Sequence, residues 1–417
     1  MKRSLLTFVA IAMIAAILPT GSASAAYRCP YVTSVWPGAS PWSGDACSIG
    51  DGDTFVADVD GASGRRHVRI TGLNTTERGK PKGTCHSEWA TTRLTDLIQG
   101  KALTMRSAHP NHMVGDRYWR WVNVGTTDVA TVLLREGLAI AEPHPLDVKR
   151  NHRYIRAAQL AARDRTTGRS LWNPAACAAG PKQAMPLRLW VQWNADGTDV
   201  YNPNGEFVRI RNDGSQAVSL KGWWLRDSST SHTYFFPDRA KVRPHDEIVV
   251  KMGKGRNTRR RFYFREGVIF MDTRRDGNGG DGAYLFDPDG DLRAGMQYPC
   301  VVSCWDPAMG NLKMTVHPAG SGNDEWVRVK NVGPATLDMD EYVLETGYNT
   351  YTIWGHRVSS RLKPGEVLEI RFGLGGNTRL KRHWGKSGSL LGGSGVVKLR
   401  TWDDTRVACA AWGGSSC

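Results

Sequence analysis

The chain has 417 residues, too many for one ordinary hydrophobic core and enough for about two to four domains. With 46 Gly and 16 Trp it reads as a turn-rich, mostly β, multidomain protein. A net charge of +15 sets up a field that attracts polyanions.

Met-Lys-Arg opens the chain, an apolar run from Leu5 to Leu18 follows, and Pro19-Thr-Gly-Ser-Ala-Ser-Ala25 closes the segment. A charged start, a short apolar run and small residues at Ala23 and Ala25 predict a signal peptide over 1–25 and a secreted, extracellular protein. The run falls short of the roughly 20 residues a spanning helix needs, and no later stretch is apolar enough to span a bilayer. Loss of Lys2 and Arg3 lowers the net charge from +15 to +13. All eight cysteines lie beyond Ala25. An even count in an exported chain favours disulfides, and no CxxC pair or matching His spacing suggests zinc. Cys300 with Cys304 and Cys409 with Cys417 each close a short loop and are paired locally. Among Cys29, Cys47, Cys85 and Cys177 three pairings stay open, with Cys29/Cys47 and Cys85/Cys177 as the working choice.

In chain order, Thr54–Val59 and Arg65–Thr71 read as strands joined by the turn Asp60-Gly-Ala-Ser-Gly64. Ala90, Leu94, Leu97 and Ile98 recur at helical spacing. Residues Ala102–Ser107 and Arg120–Val124 read as further strands. A second helix starts with Val129, Val132 and Leu133 and ends near Gly137, and Val148, Tyr154, Ile155, Ala158 and Ala162 mark a third. Strands with helices around them predict a small β-barrel carrying helices over 26–180. Asn173 to Pro186, rich in Ala, Gly and Pro, reads as a linker.

The remainder repeats. Glu206-Phe-Val-Arg-Ile-Arg-Asn212 returns as Glu325-Trp-Val-Arg-Val-Lys-Asn331, and Leu220-Lys-Gly-Trp-Trp-Leu225 as Met339-Asp-Glu-Tyr-Val-Leu344. Arg243 to Val250 matches Lys363 to Ile370, and Asn257-Thr-Arg259 matches Asn377-Thr-Arg379. The offset of 119 or 120 residues throughout makes two copies of one domain, over 185–304 and 306–417. Short alternating segments broken by Gly, Asn, Asp and Pro predict antiparallel sandwiches. In pattern and spacing both copies resemble the lamin tail domain, which implies an immunoglobulin-like fold. Asp272 to Asp291, rich in Asp and Gly, lacks the EF-hand pattern and reads as turns.

The chemistry-bearing residues concentrate in Ile49-Gly-Asp-Gly-Asp-Thr54, in Val68-Arg-Ile-Thr-Gly-Leu-Asn-Thr-Thr-Glu77 and in Gly115-Asp-Arg-Tyr-Trp-Arg120. Together they supply carboxylates and oxygen donors for a hard cation, guanidinium groups for phosphate, and a carboxylate to activate water. Asp-Gly-Asp-Thr by itself is a common turn; the three segments in this order are far more specific. In that order, and with Leu134-Arg-Glu-Gly-Leu-Ala139 after them, they resemble the staphylococcal nuclease family over Ser48–Trp172. Its pattern is DGDT, VRLxGIDTPE, DxYGR and a helix ending in GLA. The resemblance implies an OB-fold β-barrel with three helices and Ca²⁺-dependent cleavage of DNA and RNA. It makes Asp53 a calcium ligand, Thr75 a backbone-carbonyl ligand, Asp51 a supporting acid and Thr54 a hydroxyl neighbour. Glu77 is then the residue that positions or deprotonates water, Arg69 and Arg120 hold the scissile phosphate, and Tyr118 contacts substrate.

The match departs from the family at three positions. Asn74 stands where the family has a second aspartate ligand; its amide oxygen still binds Ca²⁺, with one negative charge fewer. Thr76 replaces a proline, and Trp119 replaces a glycine, placing a ring where it narrows the pocket or stacks on a base. Ala141-Glu-Pro-His-Pro145 replaces a segment that carries tyrosines in the staphylococcal enzyme, which leaves Trp119 or His144 for base stacking. His109 and His112 read as surface loop residues.

Lys251 to Arg265 holds seven basic residues and no acidic one, with Phe262, Tyr263 and Phe264 among them. The second copy has Arg371, Arg379, Lys381, Arg382 and Lys386 with His383 and Trp384. Such stretches suit nucleic acid, cell-wall or other extracellular polyanions, or are solvated loops beside buried aromatics. The leading expectation is a secreted nuclease. The alternatives are a catalytically weakened nucleic-acid-binding module and an extracellular adhesin.

Overall fold

The computed structural model describes residues 41–77, 85–109, 112–146, 148–164, 168–173, 177, 186–273 and 279–417. The expected signal peptide, Cys29 and most of the expected linker lie outside them.

Five strands close a barrel. They are Trp42–Ile49 (β1), Thr54–Val59 (β2) and Arg65–Ile70 (β3), followed, after the short Leu73–Asn74 (β4) and the helix Cys85–Ile98 (α1), by Ala102–Arg106 (β5) and, past Met113–Val114 (β6), Arg117–Val124 (β7). Their order is β3-β2-β1-β5-β7, and β3 also pairs in parallel with β7, which leaves no open edge on that ring. A closed five-stranded barrel of this kind, with three helices, is compatible with an OB fold. Phe55, Ala57, Val59, Val68 and Ile70 alternate inward and fill the core with Leu103, Met105 and Val122. Strand β1 was not anticipated from sequence. Ser43, Gly44 and Asp45 dilute its pattern, and a register shift between Ala46 and Ser48 breaks the alternation. Strand β7 also begins three residues earlier than expected.

After Thr127–Asp128 (β8), the helix Val129–Arg135 (α2) is capped by Asp128, whose carboxylate accepts from Thr131 N at 2.8 Å. The other Asp128 oxygen accepts from Arg150 Nη1 at 2.5 Å and Tyr154 Oη at 3.1 Å. One buried carboxylate thereby ties α2 to Asn151–Asp164 (α3). Gly137, at φ 71°, ends α2 in the left-handed region that glycine adopts without strain. Ile140–Ala141 (β9) then pairs with β4.

The strands of the first copy run from Leu187 to Tyr298 and those of the second from Leu312 to Trp412. Each copy has two four-stranded sheets packed face to face. The repeat has a local cause. Asn212 donates to Gln216 O and Val242 O and accepts from Gly214 N; Asn331 does the same with Ala335 O, Leu362 O and Gly333 N. Likewise Asn257 accepts from Tyr263 N and Asn377 from His383 N. Each asparagine pins a loop to a strand, so both stay at fixed places in both copies. Part of the Asp272–Asp291 stretch, expected to form turns, is the buried strand Asp281–Phe286. No described helix is long and apolar enough to cross a membrane.

Cys85–Cys177, Cys300–Cys304 and Cys409–Cys417 are disulfides. Cys47 is disulfide-bonded too.

Candidate site between the barrel and the first sandwich

Strands β2 and β3 form a hairpin with Thr54 opposite Arg69. That register carries Asp53 to Arg69 across 16 residues of chain. Arg69 Nη1 donates to Asp53 Oδ1 at 2.7 Å, and Thr54 Oγ1 donates to the same oxygen at 2.8 Å. Asp53 Oδ2 accepts from Thr75 N at 3.0 Å and Thr75 Oγ1 at 3.2 Å. Asp53 N in turn donates to Asp51 Oδ1 at 3.1 Å. Gly52 sits where any Cβ would meet Ala90 and Thr75 at 2.5 and 2.8 Å, so the DGDT turn needs glycine there. The cluster is deeply buried, with Asp53 1% and Arg69 4% exposed.

Burial, followed by the Asp53 charge and that of Glu77, pushes the Asp51 carboxyl up to about 7. Burial opposes the charge of Arg69, yet the carboxylates of Asp53 and Glu142 outweigh it and raise its pKa. Glu142 was not singled out from sequence. Its Oε2 accepts from Arg69 Nη2 at 2.9 Å, and burial raises its pKa against the pull of Arg69. Only the β4–β9 pairing, reinforced by Glu142 N donating to Gly72 O at 3.1 Å, brings it there.

The structure thus unites Asp51, Asp53, Thr54, Arg69 and Thr75, with Glu77 near enough for its charge to act on Asp51. Arg120 stands elsewhere. The β3–β7 register sets Trp119 beside Arg69 and Arg120 beside the core residue Ile70. Arg120 Nη1 donates to Trp119 O and His112 O, and its guanidinium lies 3.9 Å from the Trp42 ring centroid. Tyr118 packs edge-on against Trp42 at 5.1 Å inside the core. Trp119 lies under Arg69 at 5.1 Å and groups with His112 and His144 at 5.4 and 4.8 Å. His112 is therefore a buried aromatic partner, not the surface loop residue expected; His109 is exposed.

Asn74 faces the first sandwich. Its Nδ2 donates to Ser228 O at 3.0 Å. A carbonyl only accepts, which fixes the amide so that Oδ1 points away; that oxygen is buried without a donor among the described residues. Around it Ile140 and Leu171 of the first domain pack with Trp224, Tyr284, Phe286 and Leu292. Large rings buried this way each contribute a few kcal/mol of contact (~25 cal/mol per Å²). His86 Nε2 and Asp291 Oδ1, 3.1 Å apart, add a buried polar link. Cys85, His86 and Cys177 converge as metal ligands would, but the two sulfurs are bonded to each other.

Residues 193–300 match the lamin tail domain family, within the first repeat. No nuclease family matches the barrel, and no curated protein matches the chain.

Of the aromatics in the basic stretch, Phe262 and Phe264 are buried in the core and Tyr263 is half-buried. The cations around them differ between copies. In the first copy Lys254, Arg256, Arg259, Arg261 and Arg265 are exposed and Arg260 pairs with Asp246; in the second Arg379 makes a two-pronged pair with Glu366, and Arg371 pairs with Glu369.

Proposed function

We propose that this chain is a secreted, Ca²⁺-dependent nuclease that hydrolyses phosphodiester bonds of DNA or RNA. The observation that carries the reading is the convergence of Asp53, Arg69, Thr75 and Asp51 at one side of the barrel. These are the residues through which the chain resembles staphylococcal nuclease. The donor set suits a hard cation: the unpartnered Asn74 Oδ1, the carboxylates of Asp53 and Asp51, and the Thr75 carbonyl. A calcium ion held by these groups would supply neutralisation of the phosphate charge and polarisation of the phosphoryl group. Arg69 binds a phosphate oxygen once its guanidinium exchanges Glu142 or Asp53 for substrate. Glu77, which makes no hydrogen bond or ion pair among the described residues, accepts the proton of the attacking water. The exposed cations Lys254, Arg256, Arg259, Arg261 and Arg265 of the first sandwich hold extracellular polyanions, nucleic acid included, near the site.

The second reading, a barrel that holds nucleic acid without cutting, is favoured by the saturation of Asp53, whose two oxygens already accept four hydrogen bonds. A calcium titration of DNA cleavage separates the two. The nuclease reading expects cutting that a chelator stops, and roughly tenfold less calcium needed by Asn74→Asp, which restores a ligand charge. DNA binding without cutting at any calcium concentration supports the second reading and overturns the first.

A further inference from the structure

The boundary between the barrel and the first sandwich holds a cation with no assigned role. Arg226 ends the strand Trp224–Arg226 and lies opposite Tyr284 on the neighbouring strand. Trp224, two residues earlier and so on the same face, packs in one cluster with Tyr284 and with Ile140 of the barrel. Ile140 stands two residues before Glu142, so the contact that joins Ile140 to Trp224 brings Arg226 toward Glu142. Ser228, two residues beyond Arg226, receives the hydrogen bond from Asn74. Arg226 is 5% exposed, and its guanidinium lies 5.4 Å from the Phe286 ring centroid. Its Nη2 has no hydrogen-bond partner among the described residues. Burial lowers its pKa, while the charges of Asp227, Glu142 and Glu77 act to keep it protonated.

A buried guanidinium nitrogen without an acceptor is costly, and a phosphate oxygen is the acceptor that its fork matches. Arg120, the expected second phosphate ligand, instead stacks on Trp42. Resting on the nuclease reading above, we propose that Arg226 of the first sandwich binds the substrate phosphodiester alongside Arg69, so that barrel and lamin tail domain share one phosphate site. Glu142 occupies Arg69 until substrate arrives, and the sandwich supplies the second guanidinium as well as orienting the Asn74 amide.

The test uses the full chain and a dinucleotide whose bridging phosphodiester oxygen is replaced by methylene, which binds without being cut. With saturating Ca²⁺ and moderate salt, Arg226→Gln is expected to weaken binding about tenfold or more while calcium binding stays unchanged. Arg226→Lys, which keeps the charge but loses the fork, is expected to fall between the two. Binding by Arg226→Gln within twofold of wild type overturns the proposal. Should Arg226→Gln not fold by circular dichroism, Arg226→Lys decides: several-fold weaker binding supports the shared site, and unchanged binding overturns it. Plasmid cleavage by the same proteins separates the two claims. Arg226-dependent binding without any cutting sinks the nuclease reading and leaves the shared site. Cutting that Arg226→Gln leaves intact or accelerates, with unchanged binding, sinks the shared site and leaves the nuclease.

Discussion

The two sandwiches present the same sheet to the domain before them, with opposite chemistry. In the first copy Trp224, Phe286, Arg226 and Tyr284 lie across this sheet and meet the barrel. In the second copy the corresponding positions are Val343, Arg400, Glu345 and Lys398, of which Arg400 and Glu345 meet Trp193 and Asn194 of the first copy. Arg400 donates to Glu345 at 2.8 Å and stacks 4.2 Å from the Trp193 ring, while Trp193 Nε1 donates to Trp402 O at 2.9 Å. The lone Arg226 of copy one is thus replaced by an acid paired within its own sheet. Duplication supplied a docking mode twice, and only one docking brings a guanidinium to the candidate site.

The largest effect expected from this contrast is at Trp224. Trp224→Ala removes a ring stacked on Phe286 at 5.5 Å and should cost about 3–5 kcal/mol in urea unfolding, while Val343→Ala should cost roughly half as much. Equal costs would mean that the two dockings are equivalent.

A second contrast lies inside the copies. Glu325 accepts from Ser389 Oγ, Leu390 N and Leu391 N, whereas Glu206 accepts from Ile269 N and leaves Oε1 unpartnered. Burial raises Glu206 to about 9. Its folded pKa exceeds the unfolded value of 4.5, so the folded state holds the extra proton between those values. Stability is full below pH 4.5 and declines as pH rises toward 9, by an amount on the order of a few kcal/mol. Glu206→Gln should flatten this decline in urea midpoints measured from pH 5 to 9. An unchanged slope would show that Glu206 does not carry it.

Arg400→Gln should cost about 1–3 kcal/mol through the lost Glu345 pair and Trp193 stacking. Thermal unfolding reads this; a change near zero would make the second docking face independent of that arginine. The smallest effect concerns the exposed cations. Neutralising Arg256, Arg259 and Arg261 should flatten the log–log salt dependence of DNA binding by about 0.9 per lost contact. Neutralising Arg379, tied to Glu366, should change it less.

How much of this was legible in sequence follows from chain separation. Asp53 and Arg69 belong to one hairpin, so the spacing of DGDT and the following strand already encoded their meeting. The duplicated asparagines marked the repeat because each makes the same bonds in both copies, two of them within four residues. Glu142 and Arg226 were invisible: they lie 73 and 157 residues beyond Arg69 and approach the site only when β9 pairs and the domains dock. The direction of Arg120 was also hidden, because alternation along β7 does not tell which face meets β3 until the parallel register with Trp119 is known.

The most direct test of the central claim is plasmid degradation by the full chain in calcium or chelator, with Glu77→Gln beside wild type. Calcium-dependent cutting is expected, lowered by Glu77→Gln by about 10²–10⁴-fold without a change in unfolding midpoint. Glu77→Gln cutting as fast as wild type, or wild type not cutting at all, would contradict it.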